Sequence, residues 1–139
     1  GDVYKRQLRC CNEQMRCGRG FVFEHPWQAS SWKLDEIINF LLIDGVYTVD
    51  FDQCATGLIG PNGQPMRKRT RLMTNMQEII DAFSGLQCAC ECDHLTVEGS
   101  CHGVRLSTYC QVYTPELCDW LLQCAASYIH GDDLECVAL

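Results

Sequence analysis

Three short stretches of the sequence combine residue types that do chemistry. The first is Phe21-Val22-Phe23-Glu24-His25-Pro26, a carboxylate just past an aromatic and β-branched run. An acid at the carboxyl end of a buried strand sits where ligands collect in α/β sheets, and it can serve as a general acid or base. The plain alternative is an exposed loop acid beside a turn proline. The second stretch is Gly63 to Arg71, which contains Arg67-Lys68-Arg69-Thr70-Arg71. On a strand, Arg67, Arg69 and Arg71 share one face, and Lys68 and Thr70 the other. Guanidinium forks suit phosphates and base edges. The alternative is a solvated edge strand that charge protects from aggregation. The third stretch holds Cys88, Cys90, Cys92, His94, Cys101 and His102. Thiolates and imidazoles at short spacing point to zinc, with Cys90 and His94 as candidate ligands. The spacing is C-x-C-x-C-x-H and not the paired C-x2-C of ordinary zinc sites, so a reduced cysteine-rich loop stands as the alternative. Gly18-Arg19-Gly20 precedes a strand instead of following one, so it reads as a turn and not as a cofactor loop.

The elements that must position these groups follow from periodicity and punctuation. Leu8 to Arg19 reads as the end of a helix. Phe21-Val22-Phe23 reads as a short buried strand that Pro26 stops. A helix is predicted from Ser31 as N-cap, with Leu34, Ile37, Ile38, Leu41 and Leu42 on its apolar face and Gly45 as its stop. Val46 to Phe51 is a β-branched, aromatic strand. The turn Gly60-Pro61-Asn62-Gly63 leads to a returning strand over Arg67 to Thr74, giving an antiparallel pair with a long loop. Met76 to Phe83 is a short helix. Residues 86 to 110 are irregular. Thr114-Pro115-Glu116 opens a last helix, with Leu117, Trp120, Leu121, Cys124 and Tyr128 as its stripe and Gly131 as its end.

Composition bounds the function classes. The 139 residues are 47% hydrophobic and 21% charged, which fits one globular domain and excludes a disordered chain. No apolar run approaches the ~20 residues that span a bilayer, so no membrane partner is expected. The net charge is −7, against a nonspecific polyanion binder. Nearly all the cations precede Leu72, and Arg105 is the one beyond it. Twelve cysteines fall largely inside apolar periodic segments, which suits reduced, buried thiols in a nuclear or cytoplasmic protein.

The order of the segments resembles the C-terminal half of cytosine-5 DNA methyltransferases of phage-like and retroelement-borne type. Phe-Val-Phe-Glu-His-Pro resembles their strand and Glu-Asn-Val or Glu-Asn-Pro signature. Asp52-Gln53-Cys54-Ala55-Thr56-Gly57 resembles a Cys-x-Tyr-Gly element. Arg67 to Asn75 resembles their basic strand ending in Thr-Asn. The Cys/His stretch and Tyr113-Thr114-Pro115-Glu116-Leu117 resemble their C-terminal Cys/His segment and final Pro-x-Leu helix. The whole segment is also similar to a domain of eukaryotic retroelement polyproteins. The resemblance implies a partial Rossmann-like methyltransferase sheet, with a parallel strand at Phe21, an antiparallel edge pair and flanking helices. It implies methyl transfer from S-adenosylmethionine to a cytosine flipped out of DNA. Glu24 would be the catalytic acid at the ring nitrogen, and Arg67 and Arg69 would hold the base, in one shared pocket. The chain departs from the pattern at His25 for Asn, Met66 for Gln and Thr56 for Tyr. It has no Pro-Cys nucleophile and no glycine-rich S-adenosylmethionine loop.

These readings divide the chain into three parts. Residues 1–7 (GDVYKRQ) resemble translated adapter sequence and are set aside from fold reasoning. Residues 8–130 are expected to form the C-terminal part of a methyltransferase-like domain whose N-terminal half is missing, so the fragment alone is expected to be inactive. Residues 131–139 read as an acidic tail. Two further functions stand beside the first: a Cys/His metal-stabilised interaction module, and a non-catalytic DNA-contacting domain that keeps the basic strand.

Overall fold

The computed structural model describes residues 2–131. The chain is mixed α/β: a three-stranded antiparallel sheet with helices on both faces. The first helix, α1 (Asp2–Arg16), buries Leu8 and Cys11 and packs Tyr4 and Met15 against the same core. These four recur at i, i+4, i+7 and i+11, one stripe of a 3.6-residue period. Residues 2–7, set aside on sequence grounds, thus form the first turns of this helix.

Strand β1 (Val22–Pro26) starts one residue later than the sequence predicts and runs three residues further, through Glu24 and His25 to Pro26. The reason is its place in the sheet. The strand order is β1-β3-β2, so β1 lies at an edge, where a residue without an N–H costs no ladder bond on the open side. The helix expected from Ser31 is split. A 3-10 turn spans Ser30–Lys33, and α2 (Asp35–Leu41) begins only after Leu34. Ser31 is buried and caps nothing. The later start rotates the buried stripe onto Ile37 and Phe40, leaving Ile38 and Leu42 exposed.

Strands β2 (Tyr47–Asp52) and β3 (Arg69–Thr74) form the expected antiparallel pair, in register from Tyr47 opposite Thr74 to Asp52 opposite Arg69. The strand at Phe21 departs from expectation. It is antiparallel to its neighbour β3, with Glu24 opposite Leu72 and Pro26 opposite Thr70. Strands β1 and β2 run the same way but do not touch, because the long loop 53–68 returns β3 between them. No parallel pair occurs in the named strands of the described residues.

Alternation along the strands fills two cores. On one face Phe23 and Met73 meet Trp32, Ile37 and Phe40 beneath α1 and α2. On the other, Val49, Phe51 and Leu72 meet Ile79 and Phe83 of α3 (Gln77–Phe83) and Leu117 and Cys124 of α5 (Pro115–His130). Helix α5 starts as its sequence predicts: the Thr114 hydroxyl accepts from the Leu117 N–H at 3.1 Å, and Pro115 occupies the first turn. A third small core of Leu58, Met66, Leu106 and Cys110 supports residues 95–110, which carry a two-residue hairpin, β4 (Ser100–Cys101) and β5 (Val104–Arg105), and the single turn α4 (Leu106–Tyr109). The acidic tail beyond Gly131 lies outside the described residues. Among those residues, no helix is long and apolar enough to cross a membrane.

Phe51 is fully buried between β3 and Phe83, whose ring it meets edge-on at 4.9 Å. Phe51→Ala is expected to cost about 3–5 kcal/mol, read as a lowered urea midpoint with unchanged slope. Leu42→Ser, on the exposed side of α2, is expected to stay within about 0.5 kcal/mol.

Candidate metal centre and adjoining cavity

The Cys54, Cys88 and Cys90 sulfurs and a ring nitrogen of His94 lie within 4.8 Å of one another. Two pieces of chain distant in sequence supply them. Cys54 lies in the 3-10 turn Gln53–Thr56 that follows β2. That turn is locked from inside. Gln53 is buried, its amide Nε2 donates to Thr70 Oγ1 at 2.9 Å, and the Thr56 hydroxyl donates to the Gln53 carbonyl at 2.9 Å. Thr114 in turn donates its hydroxyl to the Thr56 carbonyl at 2.6 Å, tying the turn to the start of α5.

The other ligands come from the loop after α3. Its approach is fixed on the end of β2: Asp52 N–H donates to the Leu86 carbonyl at 3.0 Å, and Cys88 N–H donates to Asp52 Oδ2 at 2.9 Å. Gln87 Nε2 adds a bond to the Asp50 carbonyl at 2.9 Å. Cys88 and Cys90 are two apart in an extended segment, so their side chains share a side. The chain bends at Cys92, which takes that thiol out of the cluster. His94 is returned by its neighbour Leu95, whose N–H and carbonyl bond Pro65 O at 2.9 Å and Arg67 N at 2.7 Å. Of the predicted ligands, Cys90 and His94 are both in the cluster. Cys88 joins them, while Cys92, Cys101 and His102 do not. The fourth member, Cys54, carries no ligand signal in the sequence and enters there only through the Cys-x-Tyr-Gly resemblance.

The donor set fits a tetrahedral metal ion. Zinc–sulfur bonds of about 2.3 Å put ligand atoms about 3.8 Å apart along the tetrahedron's edges. Cys88 Sγ and His94 Nε2 are 3.4 Å apart and all four donor atoms lie within 4.8 Å, so small side-chain movements bring the set to that size. The electrostatics point the same way. Burial, followed by the nearby Cys88 and Cys90 sulfurs, pushes the Cys54 thiol up to about 12. Desolvation also raises Cys90. Cys88 is lowered, first by the Cys90 backbone N–H it accepts from and then by the Cys54 thiol. Three thiols crowded this way resist ionising together, and a divalent cation relieves the resistance. A tetrahedral ion held by these four donors would have no open coordination position, the arrangement of a structural site.

Cys54, Cys88 and His94 of the cluster form one wall of a cavity of about 760 Å³ that is also lined by Trp27, Gln28, Asp52, Arg67, Lys68, Arg69 and Cys110. The three cations differ in their freedom. Arg69 pairs with Asp52 at 3.7 Å and lies over the Trp27 ring at 5.8 Å. Lys68 donates its ammonium to the Cys110 carbonyl at 2.8 Å. Arg67 is exposed, and its guanidinium makes no hydrogen bond or ion pair among the described residues. Arg71 does not line this cavity. It grips Asp50 with two bonds of 2.7 and 3.1 Å and lies over Trp32 at 5.5 Å, holding β2 to β3.

Glu24 is not among the residues that line the cavity. It faces the α5 side of the sheet with Leu72 opposite it, whereas Arg69 alternates to the other face. The structure therefore separates the acid from the arginines expected to share its pocket, because an even-numbered residue of β1 pairs with even-numbered residues of β3. Glu24 instead accepts the Tyr113 hydroxyl at 2.9 Å on Oε2, while its buried Oε1 has no partner. Burial, then the Glu24 charge, raises Tyr113 well above its ordinary range, so the phenol keeps the proton it donates.

No family model, curated protein or solved structure matches this chain.

Tyr113→Phe removes the hydrogen bond made to the half-buried Glu24 carboxylate and is expected to cost about 1–3 kcal/mol in urea unfolding. Tyr109→Phe, which deletes a bond to the exposed Ile59 carbonyl, is expected to cost less than about 1 kcal/mol because water takes its place.

Proposed function

We propose that this chain is a zinc-stabilised interaction module in which Cys54, Cys88, Cys90 and His94 hold one Zn²⁺. The observation that carries the reading is the convergence of four soft and borderline donors from two distant segments onto one point. The sheet alone gives residues 86–94 little to fold against. Most of them are exposed, and their anchors are the bonds to Asp50, Asp52 and Pro65 described above. A metal ion there supplies what a hydrophobic core does elsewhere, and it fixes the wall of the cavity that presents Arg67, Lys68 and Arg69. The partner proposed for that surface is DNA, met by guanidinium forks. An acidic chain of net charge −7 suits a short, local contact better than tracking along a duplex.

Purified protein is expected to contain one zinc per chain by elemental analysis. Chelation is expected to lower the unfolding free energy by about 3 kcal/mol or more, the linkage expected when metal exceeds its dissociation constant a hundredfold. Cys54→Ser should abolish stoichiometric zinc, and Cys101→Ser should leave it intact. Metal-free protein whose unfolding is indifferent to chelator would refute the reading. Changing Arg67 to Ala is expected to weaken DNA binding and flatten its salt dependence by about one unit in the log–log slope.

A second reading, the C-terminal part of a cytosine-5 methyltransferase-like domain with a partial Rossmann-like sheet, is favoured by one observation. Glu24 is a strand-borne, half-buried carboxylate with one oxygen, Oε1, buried and without a partner. In that reading Glu24 is the catalytic acid, Arg67 and Arg69 contact the DNA substrate, and S-adenosylmethionine and the nucleophile come from residues upstream of this segment. The reading requires the acid to act from the α5 face, apart from the arginines. Its test is labelled methyl transfer by the complete reading frame. A Pro-Cys and a glycine-rich strand end upstream, with activity lost in Glu24→Gln, would support it. An intact frame without them would end it.

A further inference from the structure

The cluster is open on one side. Cys88 and Cys90 are exposed, whereas Cys54 is half-buried in its locked turn. Three sulfurs no more than 4.8 Å apart need to close by less than about 3 Å to reach the S–S bond length of about 2.05 Å. The backbone singles out one pair. Cys88 N–H is bonded to Asp52, two residues before Cys54, so the two chain segments are already clamped side by side at this point. A bridge between Cys88 and Cys90 would instead close a very small ring across an extended segment, a strained geometry. The zinc reading and this clamp together carry a consequence for oxidants.

We propose that Cys88 is a site of oxidation by hydroperoxides, and that its conversion to a Cys54–Cys88 disulfide expels the zinc. This rests on the zinc-module reading. The exposed Cys88 thiolate attacks the peroxide O–O bond, an S–O bond forms, and hydroxide leaves. The Cys54 thiolate then attacks the Cys88 sulfur, the S–S bond forms and a second hydroxide leaves. Two thiolates lose one electron each, and one hydrogen peroxide takes both. With two ligands consumed, Cys90 and His94 alone are too few to retain the ion. The disulfide replaces one arm of the metal staple, so the loop stays tied to the end of β2 while the cavity wall beside Arg67, Lys68 and Arg69 loses its other two anchors. Reducing thiols and zinc restore the first state.

The experiment starts from zinc-loaded, full-length chain treated with one equivalent of hydrogen peroxide in the presence of a chromogenic zinc indicator. The expected result is release of one zinc per chain, loss of two titratable thiols, and a peptide linking Cys54 to Cys88 by mass spectrometry, all reversed by dithiothreitol with added zinc. Cys92→Ser, whose sulfur lies outside the cluster, should behave identically, which excludes that neighbour as the partner. Zinc retained under peroxide, release accompanied by sulfinic acid without a crosslink, or a crosslink that joins another pair would each overturn the proposal. A starting protein that takes up no zinc defeats the module reading itself, and this differs from bound zinc that peroxide leaves in place.

Discussion

Two hydrogen bonds on Asp52 do most to decide what this protein can be. Its N–H holds the Leu86 carbonyl and its carboxylate holds the Cys88 N–H. Together they bring the loop after α3 back onto the end of β2. A carboxylate accepting a backbone N–H makes a strong, charge-assisted bond, and the same side chain also faces Arg69. Without this clamp, Cys54 and Cys88 would belong to unrelated parts of the surface. With it, three of the four cluster residues, three cations and an exposed tryptophan surround one cavity.

The sheet beneath supplies the rigidity that the clamp requires. Strand β3 is the central strand and is bonded on both sides, and its inner residues Thr70, Leu72, Met73 and Thr74 are buried. The buried threonines keep their hydroxyls occupied: Thr74 donates to the Phe21 carbonyl at 2.7 Å, and Thr70 accepts from Gln53. Such bonds contribute about 1 kcal/mol each when made, and a buried group left without a partner costs about 1–3 kcal/mol. They fix the register of β3 against both neighbours, and register decides which side chains reach the cavity. A one-residue slip would send Arg69 to the α5 side and Thr70 to the cavity side.

Much of this was legible in the sequence where one local rule decides. The Thr114-Pro115 helix start, the β2–β3 hairpin and the short helix before Phe83 follow from capping, alternation and turn residues. Readings failed where tertiary placement decides. Pro26 ends a strand only if the open side must be paired, and at an edge it need not be. Ser31 has the chemistry of a cap, but Trp32 is drawn into the core, with its indole N–H on the Pro26 carbonyl at 2.9 Å, and the backbone there winds into a 3-10 turn. Glu24 and the arginines look alike in distance along the sequence pattern, yet strand alternation sends them to opposite faces. At the metal cluster, Cys90 and His94 could be read from local spacing. Cys54 could not, because a ligand thirty-odd residues away is signalled only by the fold that returns the loop to it. A lone cysteine in a Gln-Cys-Ala-Thr-Gly turn carries no zinc signature of its own.

The central claim is the four-donor metal centre. X-ray absorption at the zinc edge of the purified protein tests it most directly, because it reports the donor atoms and not merely the presence of metal. A four-coordinate ion with three sulfur neighbours at about 2.3 Å and one imidazole nitrogen at about 2.0–2.1 Å is expected. A shell of oxygen neighbours, or fewer than three sulfurs, would contradict it.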